Sequence, residues 1–221
     1  MAEKYGTIPK RFTPEWWEYF WMYYKIHTIA IALVILAVAF TVYQVCTQPK
    51  YDLNIAYVNN LFLDENTQGE LLEEICGRIE DLDENGEKSV YVESLVFSED
   101  SVEAEYNTAV ITKLNLQYVT DDILLFVFSE EKGSYLFGDN SLDGLFQPVS
   151  DWLNDGVELS EDELYKVGDK AYGVKISNTA LKDMPGEALY VAVRNSRPDS
   201  DEKVLKRLKE SKKVANYLIK Q

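Results

Sequence analysis

The sequence predicts an α/β protein, in which one N-terminal transmembrane helix is followed by a single, mostly parallel α/β domain. Residues 28–45 form an apolar run without charge, proline or glycine, close to the roughly 20 residues that cross a bilayer. From residue 51 onward, short strand-like runs alternate with helix-like runs, which is typical of βαβ units. We therefore expect a cytoplasmic tail (1–13), an aromatic-rich juxtamembrane and transmembrane helix (14–46), a linker (47–50) and an extracytoplasmic domain (51–221).

The chain is acidic, and its charge is unevenly distributed. The net charge is −16; residues 51–200 contain 10 basic and 32 acidic side chains, whereas residues 201–221 contain 7 and 3. An acidic body argues against a nucleic-acid partner, because phosphates require Lys and Arg. Two cysteines, Cys46 and Cys76, are too few for a disulfide framework and have no metal-site spacing. The composition therefore predicts no cofactor.

The apolar run has the features of an uncleaved anchor. The segment before it is long and mixed in charge, and no small-x-small site follows it, unlike a signal peptide. Basic residues cluster on its N-terminal side, at Lys4, Lys10, Arg11 and Lys25, whereas Lys50 stands alone on the other. The positive-inside rule then predicts a cytoplasmic N-terminus and an extracytoplasmic domain. We expect the membrane to be a bacterial plasma membrane.

Aromatic residues crowd the start of this anchor, in PEWWEYFWMYYK. Thr13 suits the N-cap and Pro14 the first helical position, so one helix is predicted to run unbroken from the aromatic residues through the membrane. Seven rings would cover an arc of about 200° on that helix. They are Trp16, Trp17, Tyr19, Phe20, Trp21, Tyr23 and Tyr24. Two interpretations stay open: an aromatic belt in the lipid headgroups, or a surface that packs on another membrane protein.

The domain is predicted to contain five strands. Their positions are 51–58, 89–97, 122–128, 171–177 and 188–194. Alternation of apolar and polar residues marks the first of them, and the continuous apolar run at 122–128 favours a central parallel strand.

Helical patterns separate these strands. They occupy 67–80, 100–119, 141–153, 160–167 and 201–220. Thr67 and Glu70 form a capping-box pattern at the start of the first helix. The last helix is amphipathic, with three lysines facing solvent or the acidic body (Lys209, Lys212 and Lys213) and apolar residues inward (Val204, Leu205, Leu208, Ala215, Leu218 and Ile219).

Three stretches carry a resemblance to a known family. They are DILLFVFSEEKGSYLFGDNSLDGLFQPVSDWL, VGDKAYGVKIS and ALYVAVRNSRPDSDEKVLKRLKESKKVANYL. Their order resembles the first lobe of the extracellular solute-binding proteins, which have the type-2 periplasmic-binding fold. That family has two lobes that close on a ligand, whereas this chain has room for one. The resemblance implies a single lobe fused to an uncleaved membrane anchor.

The segment DLDENG matches the first half of a calcium-binding loop. Asp81, Asp83 and Asn85 take positions 1, 3 and 5, and Gly86 takes position 6, which supplies closely spaced oxygens and a sharp turn. Position 12 falls on Val92, and a strand follows instead of a helix. The alternative is an ordinary turn between a helix and a strand.

Polar residues follow several strands at their carboxyl ends, where ligands bind in open α/β sheets. The candidates are Asn59, Asn60, Ser98, Glu99, Ser129 and Glu130. A ligand there would be cationic or rich in hydroxyl groups. The alternative is helix capping, for which Asp100 followed by Glu103 is a pattern.

No catalytic residues are predicted. His27 is the only histidine and lies at the membrane edge, which excludes a Ser-His or Cys-His arrangement in the domain. The chain has no phosphate loop or dinucleotide fingerprint. We therefore expect a non-catalytic, membrane-anchored interaction protein, an accessory subunit of a membrane assembly. The alternative is a tethered domain that recognises a solute or calcium.

Overall fold

The structure is a computed structural model that describes residues 9–47, 50–98, 103–138, 144–183, 186 and 188–219. The chain separates into two compact units, Met1–Pro49 and Lys50–Gln221. This boundary lies within the predicted linker.

The first unit contains one long helix, α1 (Pro14–Thr47). Thr13 caps its start, because the Trp16 N–H donates to the Thr13 hydroxyl at 3.3 Å and to its carbonyl at 3.1 Å. The helix is long and apolar enough to span a membrane, with a mean hydropathy of 2.3 in its most apolar window. The predicted cap and the unbroken helix are confirmed.

The second unit is built on a mixed sheet of six strands. They are β1 (Leu53–Asn59), β2 (Val90–Val96), β3 (Leu125–Ser129), β4 (Leu164–Val167), β5 (Lys170–Lys175) and β6 (Leu189–Val193). Their order is β2-β1-β3-β6-β5-β4. Only the β1–β2 and β1–β3 pairs are parallel, whereas the other three neighbouring pairs are antiparallel. The α/β class is confirmed, and the prediction of a mostly parallel sheet is wrong.

A tight turn explains part of the antiparallel half. Val167 pairs with Lys170 across the two residues Gly168 and Asp169, and Gly168 has a φ of +61°. Two-residue turns with positive φ join antiparallel strands, whereas parallel neighbours need a crossover of about a dozen residues or more. This hairpin therefore fixes the opposite directions of β4 and β5.

The helix predicted over residues 160–167 is also wrong. Glu161–Glu163 make one 3-10 turn, and the following residues form β4. Ser160 and Glu163 form a capping box, so the polar half of this segment does have a helical start. The chain then becomes a strand, because pairing with β5 satisfies the backbone hydrogen-bonding groups of Leu164–Val167.

Helices cover both faces of the sheet. In the described part of the chain they are α2 (Glu65–Cys76), α3 (Ala104–Val119), α4 (Gly133–Phe137) and α5 (Glu202–Ile219). The first core cluster joins α2 and α5 to one face, and the second joins α3 and α4 to the other. The domain therefore has three layers.

Two helix details differ from the predictions. The N-cap of α2 is Asp64, which accepts from the Asn66 and Thr67 backbones, so Thr67 lies inside the helix; a carboxylate suits this position because it also opposes the positive helix end. In α5, Leu205 is 51% exposed instead of inward, and Val214 is fully buried.

Two other predicted helices are described only in part. Asp100 lies outside the described residues, and Glu103 precedes α3 without a side-chain capping bond. In the predicted helix 141–153, residues 141–143 lie outside the described part, and Val149–Asp151 make one 3-10 turn.

Candidate functional site

Residues 16–24 of α1, which we call the aromatic segment, carry rings that stack along the helix. Trp16, Phe20 and Tyr24 are spaced four residues apart, with ring centroids 5.3 and 5.5 Å apart. Tyr19 and Tyr23 form a second pair at 4.8 Å. These contacts follow from the i, i+4 geometry of a helix. The segment is therefore an ordered aromatic surface within the helix.

The outward side of this surface is open. Trp17, Trp21, Tyr23 and Tyr24 are 44–56% exposed, whereas Trp16, Tyr19 and Phe20 are half-buried. The structure thus places all seven predicted residues on one helical segment.

The aromatic segment is longer than one headgroup layer. Trp16 lies about 12 Å along the helix axis from Tyr24. Each headgroup layer of a bilayer is only about 5–8 Å thick, and a tilt of about 20° shortens the segment by less than about 1 Å. If residues 26–45 filled the hydrocarbon of a bilayer, the rings nearest Trp16 would therefore extend past the layer that stabilises an aromatic belt.

A polar cluster lies at the carboxyl ends of β1 and β3. The Asn60 amide donates to Glu131 at 3.0 Å, and the Lys132 ammonium donates to the other oxygen of Glu131 at 2.6 Å. Lys132 thereby lowers the pKa of Glu131. Its side chain is 7% exposed and lies 5.5 Å from the Phe97 ring centroid. Sequence reasoning missed Lys132, although a lone lysine directly after a buried strand was a visible signal.

The predicted residues at this edge have different surroundings. Asn59 turns inward and donates to the Tyr57 hydroxyl at 2.6 Å. Ser129 is 1% exposed, and its hydroxyl has no hydrogen-bond partner among the described residues. Glu130 is exposed; burial, with a further contribution from the Glu130 charge, raises the pKa of Tyr165 and of Tyr190.

At the end of β2, the backbone of Ser98 is bound to a side chain of α3. Its N–H donates to the Asn107 side-chain oxygen at 2.9 Å, and the Asn107 amide donates back to the Ser98 carbonyl at 2.9 Å. Glu99 lies outside the described residues. The structure therefore joins Asn60 to the β3 end directly, and it holds Ser98 in the connection between β2 and α3.

The predicted calcium segment is a turn held by a buried aspartate from outside it. Asp52 is fully buried. One of its oxygens accepts from the Leu82 and Asp83 N–H groups at 2.7 and 3.2 Å, and the other accepts from the Ser89 N–H at 2.8 Å. The Gly86 N–H donates to Asp81 at 2.8 Å and lowers the pKa of that carboxyl.

Three carboxylates meet in this turn. Oxygens of Asp52, Asp81 and Asp83 lie within 4.8 Å of one another, and hard oxygen ligands of this kind suit calcium. Asn85 instead stabilises the turn, because its side-chain oxygen accepts from the Glu87 N–H at 2.7 Å and its amide donates to Asp83 at 3.0 Å. The structure thus brings two of the three predicted ligands together with Asp52, and the calcium site stays a prediction.

A buried ion pair lies near the amino end of β3. Arg194 is 1% exposed and donates to the carbonyls of Gln117 and Tyr118, both at 2.9 Å, in the last turn of α3. It also pairs with Asp121 at 3.3 Å, and burial lowers the pKa of Arg194. Arg194, which directly follows β6, therefore caps the end of α3.

The partners of Asp121 keep its carboxyl ionised. Burial raises the pKa of Asp121, but hydrogen bonds from Ser200 and Arg197 outweigh it, and the net shift is downward. The Arg197 contact is 3.0 Å long. Asp121 thus links the end of α3 to the segment before α5.

No family model, no curated protein and no solved structure matches this chain. The resemblance to one lobe of a solute-binding protein stays a prediction.

Proposed function

We propose that this protein is a single-pass membrane protein that docks on another membrane protein through its aromatic segment and acts as a non-catalytic accessory subunit. The observation that carries the proposal is the ordered and exposed ring surface of residues 16–24. Trp and Tyr are the residue types most enriched in binding hot spots.

The length of the segment favours a partner over a lipid belt. A belt is satisfied within one headgroup layer, but these rings extend beyond it. Rings past the layer would expose apolar area to water, at a cost of about 25 cal/mol for each Å². A partner surface would bury that area.

Charge supports the orientation in this proposal. Basic residues precede the apolar run and the acidic domain follows it, so the aromatic segment would face the cytoplasm and the domain the outside. No catalytic group is assigned, because the chain's single histidine, His27, lies in α1.

The test compares two variants of the full-length protein, purified in mild detergent from its native membrane. Trp16, Trp17 and Trp21 become leucine in one, which keeps the segment apolar and helical. The control changes three residues of the apolar run, Ile31, Ile35 and Val38, to leucine. We expect a stoichiometric partner with the wild type and the control, and at least about a tenfold loss of it with the tryptophan variant.

Two results would overturn this proposal. One is a partner that is retained equally by both variants, which would place its contacts elsewhere. The other is the absence of any stoichiometric partner from the wild type, which would leave the rings as a lipid belt.

The carboxyl edge of the sheet supports a second candidate, a tethered domain that recognises a solute. Its supporting observation is the Asn60–Glu131–Lys132 cluster, together with the hydroxyl of Ser129 at the end of β3, which has no hydrogen-bond partner among the described residues. A cationic or hydroxyl-rich ligand should raise the thermal midpoint of the wild type but not that of Glu131→Gln. Glu65→Gln, at an exposed residue of α2, is the control.

The calcium hypothesis has its own test. If the Asp52, Asp81 and Asp83 oxygens bind the ion, calcium should raise the thermal midpoint of the wild type but not of an Asp81→Asn, Asp83→Asn variant. An equal response of the two proteins, or none in the wild type, excludes this site.

A further inference from the structure

A cavity of about 360 Å³ lies between α5 and the loop at residues 151–154. Three lysines of α5 line it, together with Asp151, Trp152 and Asn216. The volume falls within the range of about 300–1,000 Å³ that is usual for small-molecule sites. It is unrelated to the aromatic segment and to the strand ends.

The wall of this cavity is held in place by direct hydrogen bonds. The Asn216 amide donates to the Trp152 carbonyl at 2.7 Å, and its oxygen accepts from the Asn154 N–H at 2.8 Å. The Lys212 ammonium also donates to the Asp151 carbonyl at 3.2 Å. The loop is thereby fixed against α5, so a ligand would not have to order it.

Positive charge is concentrated at this cavity. Lys209, Lys212 and Lys213 share one face of α5 at i, i+3 and i+4 spacing, an arrangement in which like charges repel and weaken the helix. Lys213 pairs with Glu210 at 3.4 Å, whereas Lys209 has no ion-pair partner among the described residues. The rest of the domain is strongly acidic, so this basic patch contrasts with its surroundings.

The tryptophan in the wall has an unmet donor. Trp152 is 4% exposed, and its indole N–H is buried without an acceptor among the described residues. A buried donor left unpaired destabilises the fold. Trp152 also lines the cavity, so a bound ligand would change the surroundings of its ring.

We propose that this cavity binds a phosphate monoester. A phosphate group of this kind carries a charge of about −1.5 to −2 with three strong acceptor oxygens. This charge complements the three ammonium groups, which exceed the two carboxylates near them, Asp151 in the wall and Glu210 beside Lys213. Lysine is a common phosphate ligand. The site is independent of the proposed docking function, because it lies wholly within the domain.

Trp152 provides a local signal for the test. The chain has four tryptophans. The experiment uses the full-length protein in detergent with Trp16, Trp17 and Trp21 changed to phenylalanine, so that only Trp152 remains. Phenyl phosphate and inorganic phosphate are titrated at constant ionic strength, with chloride as the reference anion. We expect a saturable change of Trp152 emission with both phosphates, and none with chloride.

Charge variants then locate the binding. The double variant Lys209→Gln, Lys212→Gln should weaken binding about tenfold or more, and Lys209→Gln alone about threefold. The matched control Lys203→Gln, Lys206→Gln removes the same charge from α5 outside the cavity and should stay within about twofold. Lys213 is kept, because Glu210 would otherwise be buried without its partner.

Either of two outcomes overturns the proposal. An emission change that is absent or does not saturate would mean that the lysines serve only to offset the acidic domain. Equal weakening by the cavity pair and the control pair would mean that phosphate responds to the overall charge and not to this cavity. Circular dichroism and the thermal midpoint of each variant verify that it is folded.

Discussion

The two ends of the parallel strands β1 and β3 use their polar groups in opposite ways. Near the amino ends, Asp52 and Arg194 are almost completely buried, and each makes several hydrogen bonds to backbone groups. At the carboxyl ends, Asn60 and Glu131 are more open to solvent, and the buried Ser129 hydroxyl is unpartnered among the described residues. The first end therefore uses its polar side chains to bind backbone groups, whereas the second end leaves the Ser129 hydroxyl without such a partner in the described part of the chain.

This contrast teaches which buried polar groups are structural. A group whose oxygens or N–H donors are all engaged by backbone has little left for a ligand. By this criterion Asp52 stabilises the fold, as do the two terminal nitrogens of Arg194, whose Nε is buried without an acceptor among the described residues. The carboxyl edge is the better place for recognition. The following predictions would break or sharpen this distinction.

The largest effect is expected from Arg194→Met. The substitution keeps an apolar stem but leaves Asp121 without its buried partner and the last carbonyls of α3 without donors. Breaking a buried ion pair in this way should lower the free energy of unfolding by about 3–5 kcal/mol, measured by urea denaturation. Arg197→Gln, at a side chain 52% exposed, is the control and should cost less than about 1 kcal/mol.

Asp52→Asn should lower the free energy of unfolding by about 1–3 kcal/mol. In the variant an amide NH₂ group would replace a carboxylate oxygen that accepts from backbone N–H groups in the wild type. Hydrogen exchange should locate the damage to the amides of Leu82, Asp83 and Ser89. If those amides keep their protection in the variant, Asp52 does not hold the turn.

Acidification should also reduce the stability that the polar groups at the amino end contribute, by less than either substitution above. The pKa of Asp121 is lowered in the fold, so its contribution is complete above the unfolded value of about 3.9. It is lost as the pH falls below that value and through the lowered folded pKa. The stability gap between wild type and Asp121→Asn should therefore be widest near neutral pH and narrow below about pH 4. A gap that does not change with pH would contradict this assignment.

The smallest effect is expected at the carboxyl end. Ser129→Ala should change the free energy of unfolding by less than about 0.5 kcal/mol, since no bond of the Ser129 hydroxyl is lost. Ser211→Ala is matched in burial, but the Ser211 hydroxyl donates to the Arg207 carbonyl at 2.8 Å, so it should cost about 0.5–1.5 kcal/mol. Equal losses would show that Ser129 has a partner, such as a bound water or ligand.

Local patterns were sufficient for much of the fold. Thr13 and Pro14 with an unbroken run specify α1, and the apolar runs identify β1, β2, β3, β5 and β6. Strand direction was harder, because it depends on connections between distant segments. The Gly168-Asp169 turn was a local signal for the antiparallel half. It was missed because the charged residues before β4 favoured a helix over residues 160–167.

The candidate sites were predictable to a lesser degree. Asn60 contacts the end of β3 through Glu131, a residue outside the predicted set, because parallel neighbours place their carboxyl ends at one edge. The part played by Asp52 had no local signal, since it contacts a turn about thirty residues away. The basic cavity on α5 was equally hidden, because its other wall comes from Trp152, far along the chain.

The uninterrupted course of α1 has a mechanical consequence. Between Glu15 and Thr47 the helix contains neither proline nor glycine, the usual causes of a kink. It should therefore behave as a rigid helix without a hinge. If a partner bound the rings at one end and rotated them about the helix axis by one residue step, about 100°, Thr47 would turn through the same angle.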